Sequence, residues 1–298
     1  MPVRKLKAMT AMLSWMLLAS PALASSVCAT DDLAKEICLE HPAKRIAALS
    51  PGATELVWAA GAGDQVVAVV AYSDYPPAAR EVASVGSHTR IDMERLLELQ
   101  PDLVVGWVTG NPTEQLATLK NMDVPVFSIE PRSFEAVSHT IERISTLAGT
   151  EAEGFAEAER FRRGIADLQE VYARADPVPV FYQVWDEPLM TVNSQHLIGE
   201  MIELCGGDNV FGQLARLVPR ISAEAVIAAN PEAILAGGMG EENRHWLTRW
   251  QAFPGITATE RNNLFFIPPS LVQRPTPRML EGTQLFCEKL EVARGRRP

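Results

Sequence analysis

The chain of 298 residues is short of several things that would assign it a common chemistry. After the first twenty residues, charged side chains interrupt every apolar run, so none is long enough to span a bilayer. There is no G-x-S-x-G nucleophile elbow and no phosphate-cradling P-loop. Gly61-Ala62-Gly63 lacks the third glycine of a dinucleotide fingerprint, and Gly238-Met239-Gly240 runs on to Asn243 instead. These absences argue against an enzyme. No CxxC and no paired histidines speak for a zinc centre, and no cofactor is expected. Basic residues are outnumbered, with 27 Lys and Arg against 37 Asp and Glu. A surface so acidic is a poor partner for nucleic acid or an anionic membrane, and suits either a basic protein partner or simple solubility.

What is present begins with export. Arg4, Lys5 and Lys7 precede an apolar run from about Ala8 to Ala19, and Ala22-Leu23-Ala24 supplies small residues at a cleavage site. Residues 1–24 are therefore expected to be a secretory signal peptide, which exports the mature chain from the cytoplasm. Val27 before Cys28 does not fit a lipoprotein. Without the three basic residues of the leader, the mature net charge is (27 − 3) − 37 = −13. All four cysteines lie in the exported part, an even number in an oxidising compartment. Three pairings are possible. Cys28 with Cys38 would close a local hairpin, and Cys205 with Cys287 would staple the last helix to its lobe; this pairing is favoured.

The strongest internal signal is a repeat. IDMERLLELQPDLVVG (91–106) and ISAEAVIAANPEAILAG (221–237) each carry a polar cap (Asp92, Ser222) and a Glu two places on (Glu94, Glu224). An apolar helical stretch, a Pro-acid pair and an apolar strand follow in each, and the copies lie 130 residues apart. A looser echo pairs residues 53–67 with 198–211. Duplicated helix–strand units predict two similar α/β lobes. Repeated βα alternation predicts a parallel sheet with helices on both faces in each. The expected boundaries are 25–149 for the first lobe with its N-terminal hairpin, 150–175 for a connecting helix, and 176–298 for the second lobe. The connecting helix begins T-E-A-E, a predicted capping box from Thr150 to Glu153. It is amphipathic, with Gly154 and Gly164 as its only interior glycines.

Ligands of parallel α/β sheets sit beyond the carboxyl ends of the strands. The expected ends are Ser50-Pro51-Gly52, Tyr72, Trp107, Trp185-Asp186, Gly237-Gly238 and Pro269-Ser270. Three of the six carry large aromatics, and Arg274 follows the last as a candidate clamp for an amide or phosphate. That set suits a large, flat, partly apolar ligand.

The chain resembles the periplasmic cobalamin-binding proteins that feed ABC importers, within the helical-backbone group that also holds haem and siderophore binders. The segments that carry the resemblance are RIAALSPGATEL (45–56), YSDYPPAA (72–79), IDMERLLELQPDLVVGW (91–107), LCGGDNVF (204–211), ISAEAVIAANPEAI (221–234) and RPTPRMLEG (274–282). It covers the whole mature chain. The resemblance implies two Rossmann-like lobes joined by one long rigid helix, with a corrinoid gripped between them by a monomer. It implies ligand contacts at Gly52, Tyr72 and Trp107 and along Ser270, Leu271, Val272, Gln273 and Arg274. It also implies that Glu94 and Glu224 dock onto the permease dimer, which works with its ATPase. The Cys205–Cys287 bridge has a family counterpart.

This chain departs from the pattern in places. His88 stands where relatives carry a Trp before the first repeated helix, and Val218 lies near the second expected Trp. Ser270 stands where an Asp is common. Trp185 is expected to replace part of the lost aromatic contact, and His88 is kept as a candidate cleft residue. Tyr72 and His88 also keep haem open as an alternative ligand. A siderophore fits less well, because Arg274 is the main cation in view.

Overall fold

The computed structural model describes residues 26–237, 240–242 and 244–298. The expected signal peptide lies outside the described residues, as do Gly238, Met239 and Asn243. The described chain opens with an antiparallel hairpin, β1 (Val27–Thr30) and β2 (Glu36–Leu39), in which Cys28 and Cys38 face each other and are bonded. Then come β3 (Ile46–Ala48), α1 (Pro51–Ala59), β4 (Val66–Val69), and a small pair β5 (Gly86–Ser87) and β6 (Arg90–Ile91). The first lobe continues with α2 (Met93–Glu98), β7 (Leu103–Trp107), α3 (Thr113–Asn121), β8 (Val126–Ile129) and α4 (Phe134–Ala148). After α5 (Glu151–Tyr172) come β9 (Val178–Gln183), α6 (Leu197–Leu204), β10 (Gly207–Asn209), α7 (Ala223–Ala229) and β11 (Ala233–Ala236). Short α8 (His245–Thr248) and α9 (Thr257–Glu260), β12 (Leu264–Phe266), α10 (Pro269–Val272) and α11 (Met279–Gly295) complete the chain.

The two main sheets are wholly parallel and share one order, β4-β3-β7-β8 and β10-β9-β11-β12. The repeat is thus a repeat of structure. In both copies the residue before the proline is left-handed, Gln100 at φ 47° and Asn230 at φ 44°, because a helix cannot run on into proline and the chain must turn into its strand. In both, the acid after the proline donates its N–H to a carbonyl at the start of the neighbouring strand, β3 or β9: Asp102 to Arg45 at 2.9 Å, Glu232 to Pro179 at 2.8 Å. The carboxylates then diverge. Asp102 accepts the N–H groups of Lys44 and Arg45, each at 2.8 Å. Pro179 stands in register where Arg45 stands in the first sheet and has no N–H to give. Glu232 therefore pairs with Arg261 at 3.0 Å and with Arg297 at 2.8 Å, which anchors the C-terminus.

The predicted capping box at Thr150 does not form. Its hydroxyl makes no cap bond to α5 and instead donates to the Ala60 carbonyl at 2.6 Å, satisfying an otherwise open end of α1. The helix α4 packs along α5 more extensively than any other pair of elements packs together. Both interior glycines of α5 are points of close approach. A Cβ at Gly154 would stand 2.2 Å from the Ser145 Cβ of α4, and one at Gly164 would stand 2.4 Å from Leu280 of α11. So α5 touches each lobe where it is thinnest.

One apolar core runs through both lobes. It joins Ile46 and Phe127 of the first sheet, Phe134 and Ile141 of α4, Phe161 and Ile165 of α5, and Tyr182, Phe286 and Leu290 of the second lobe. The opposite faces of the two sheets are covered by separate clusters, around Leu49, Leu96 and Leu119 in the first lobe and around Phe181, Val226 and Trp250 in the second. The Cys205–Cys287 bond, wholly buried, ties α11 to the end of α6. Among the described residues no helix is long and apolar enough to cross a membrane.

Candidate functional site

The loops at the carboxyl ends of the two sheets meet across the seam between the lobes. Ser50 caps α1 by accepting the Ala53 N–H at 3.0 Å, which places Gly52 in the first turn of α1. A Cβ at Gly52 would reach Pro275 and Thr276 of the other lobe at 3.9 Å. Beyond β4, Tyr72 takes a left-handed backbone (φ 65°), a conformation uncommon for a large side chain. The residue is 78% exposed, and its carbonyl accepts from Arg274 at 3.2 Å. At the end of β7, the Trp107 ring lies 5.8 Å from that of His88 at 42°. On the second lobe Trp185 stands beyond β9, half-exposed, edge-on to Trp246 at 5.8 Å. Its indole N–H donates to the Glu187 carbonyl at 3.0 Å, and neighbouring Asp186 pairs with Arg249 at 3.0 Å.

The segment 270–274 is used differently from the expectation. Leu271 and Val272 are buried in the shared core, so their side chains point away from any cleft. Ser270 donates to Glu241 at 2.8 Å and accepts from Arg278 at 3.1 Å. Gln273 donates to the Gly237 carbonyl at 3.3 Å. Arg274 is not a free cation: it bonds Glu55 at 2.9 Å and Asp74 at 2.8 Å, both in the other lobe. Burial alone would raise the Asp74 pKa, but the hydrogen bond and charge of Arg274 hold it below the ordinary carboxylate value.

The hub of this contact is Glu55, which composition and motifs did not single out. It is 3% exposed. One oxygen meets Arg274 at 2.9 Å and Arg278 at 3.5 Å, and the other accepts from Thr276 at 2.8 Å. A buried carboxylate is tolerated only when so supplied with partners. Its partners lie some two hundred residues away in sequence, so no local pattern marks it. A seam cavity of about 480 Å³ adjoins the cluster, but Tyr72, His88, Trp107 and Trp185 do not line it. Its Glu157 and Arg160 are paired with each other at 2.6 Å. Among the described residues no cluster of three metal-ligating side chains occurs.

Residues 46–271 match the periplasmic binding protein family. The chain belongs to that family. It is 34% identical over 252 residues to the vitamin B12-binding protein of Vibrio cholerae serotype O1, a match that covers 85% of this chain and 91% of that one. The crystal structure of the periplasmic vitamin B12 binding protein BtuF of Vibrio cholerae is similar with a TM-score of 0.77 and 33% identity, over 85% of this chain and 98% of that one. The periplasmic heme-binding protein RhuT from Roseiflexus sp. RS-1 shares the fold, with a TM-score of 0.75 at 24% identity over 84% of this chain and 99% of that one.

In this periplasmic binding protein, the two repeated acids lie at the starts of the repeated helices. Glu94 and Glu224 are both exposed in the first turns of α2 and α7. Asp92 caps α2 by accepting the Arg95 N–H at 3.0 Å, and Ser222 caps α7 by accepting the Ala225 N–H at 3.2 Å. Glu224 is held below the ordinary carboxylate value by its own N–H and then by the Ser222 hydroxyl. Their helices are related by the repeat, so the two acids mark equivalent points on the two lobes.

Proposed function

We propose that this protein captures cobalamin or a related corrinoid in the periplasm and delivers it to an ABC-type importer of the inner membrane. The observation that carries the reading is the aromatic set at the strand ends of both lobes, in a chain 34% identical to a vitamin B12-binding protein. Tyr72, Trp107 and Trp185 offer broad apolar faces with polar tips, as a large macrocycle with amide arms requires. Gly52 leaves room for close approach, His88 and Gln273 supply polar edges, and Ser270 and Arg274 hold their segment in place through Glu241, Glu55 and Asp74. The corrinoid is cargo, so no cofactor and no catalytic residue are assigned, and the protein works as a monomer. Residues 1–24 direct export; 25–149 and 176–298 form the lobes and 150–175 the connection.

Glu94 and Glu224 are proposed to pair with basic residues of the permease dimer, where charge complementarity sets register and encounter rate. Calorimetric titration of the purified protein with cyanocobalamin, cobinamide and haemin tests the ligand. Tight binding of a corrinoid is expected. Uptake of haemin with no corrinoid binding would overturn the reading and favour a haem carrier using Tyr72 and His88.

A further inference from the structure

Three separated stretches of the first lobe converge beneath the aromatic rim: Leu49 to Gly52, Gly86 to Arg90, and Trp107 to Asn111. One side chain meets all three. The Asn111 amide, 5% exposed, donates through Nδ2 to the Leu49 carbonyl at 2.8 Å and to the His88 carbonyl at 2.9 Å. Its Oδ1 accepts the Trp107 N–H at 2.6 Å. Its own N–H donates back to the Trp107 carbonyl at 3.0 Å. Only an amide carries two donors and an acceptor on one small, uncharged, planar group. Gly110 completes the arrangement, because a Cβ there would fall 1.8 Å from the Trp107 ring.

We propose that Asn111 is the positioning residue of the ligand cleft. It fixes the His88–Trp107 pair against the start of α1, so that cargo meets a preformed surface. Binding to such a surface avoids the ordering of loops that would otherwise reduce affinity. The inference rests on the corrinoid reading for its ligand but not for its geometry.

Asn111→Asp keeps the shape and the acceptor while removing both donations. Asn263→Asp is the matched control. Asn263 is equally buried and donates to the Glu232 carbonyl at 3.0 Å, but it stands just before β12, at the opposite end of the other sheet. Both variants of the mature protein are titrated with cyanocobalamin and followed by hydrogen exchange. Asn111→Asp is expected to weaken binding by about tenfold or more and to speed exchange in residues 84–92. Asn263→Asp is expected to lower the melting temperature and leave affinity unchanged. Wild-type affinity in Asn111→Asp, or an equal loss in Asn263→Asp, overturns the assignment. If the wild type takes up no corrinoid, the ligand reading falls, and unaltered exchange at 84–92 in Asn111→Asp would still overturn the positioning role. Asn111→Ser, which shortens the group, replaces Asn111→Asp if that variant does not fold.

Discussion

Tyr72 and Trp107 are the side chains on which the binding reading bears most directly. Large aromatics at the centre of an interface each carry about 2 kcal/mol or more when truncated. Tyr72→Ala and Trp107→Ala are therefore each expected to weaken corrinoid binding by roughly thirtyfold, measured by calorimetry. Wild-type affinity in both would place the cleft elsewhere. His196 gives a prediction in pH. It caps α6 by accepting the Ile198 N–H at 3.0 Å. Burial, and then the charge of Arg132, lower its pKa from 6.5 to about 4. Below pH 6.5 the unfolded chain takes up a proton that the folded protein refuses until about pH 4. Stability is thus full above pH 6.5 and falls by up to about 3 kcal/mol as pH drops to about 4. His196→Asn, which keeps a capping side chain, should flatten that part of a urea-denaturation profile against pH. At this scale the sequence exposes the aromatics, because a Tyr or Trp after an apolar strand is visible locally. It hides Glu55 and Asn111, whose partners are set by the tertiary path of the chain. It also misleads about Arg274, since a cation near a strand end looks the same whether it is free or already held by Glu55 and Asp74.

Among the elements, the repeated helix–strand unit was legible from its caps and its proline. Asp92 and Ser222 cap as their residue types dictate. The Thr150 box has the right letters and fails because the open Ala60 carbonyl competes for the same hydroxyl. The helix α4 has an ordinary amphipathic face and ends at left-handed Gly149, but its contact with α5 cannot be seen in either segment alone. The Cys205–Cys287 bond closes a separation of 82 residues, and cross-links of that span contribute about 4 kcal/mol, much of it by restricting the unfolded chain. The double variant Cys205→Ala, Cys287→Ala should lose about that much in denaturant unfolding. The loss should exceed that from removing Cys28–Cys38, whose separation is 10. Equal losses would contradict the loop-length account.

For the whole molecule, the two acids test the division between holding cargo and presenting it. Reversing both, Glu94→Lys with Glu224→Lys, is expected to abolish uptake through the importer while leaving corrinoid affinity unchanged. Unimpaired uptake by the double variant would remove the docking role. The core shared through α4, α5 and α11 leads further. Two lobes that bury one continuous apolar interior cannot swing apart without exposing it, so scattering profiles of the empty and loaded protein should nearly coincide. The spacing between Glu94 and Glu224 is then the same in both forms. An importer that reads only that spacing cannot tell a full carrier from an empty one, and the empty carrier becomes a competitor. Supplying excess unloaded protein to reconstituted importer should therefore slow uptake, with a dependence set by the ratio of empty to loaded molecules.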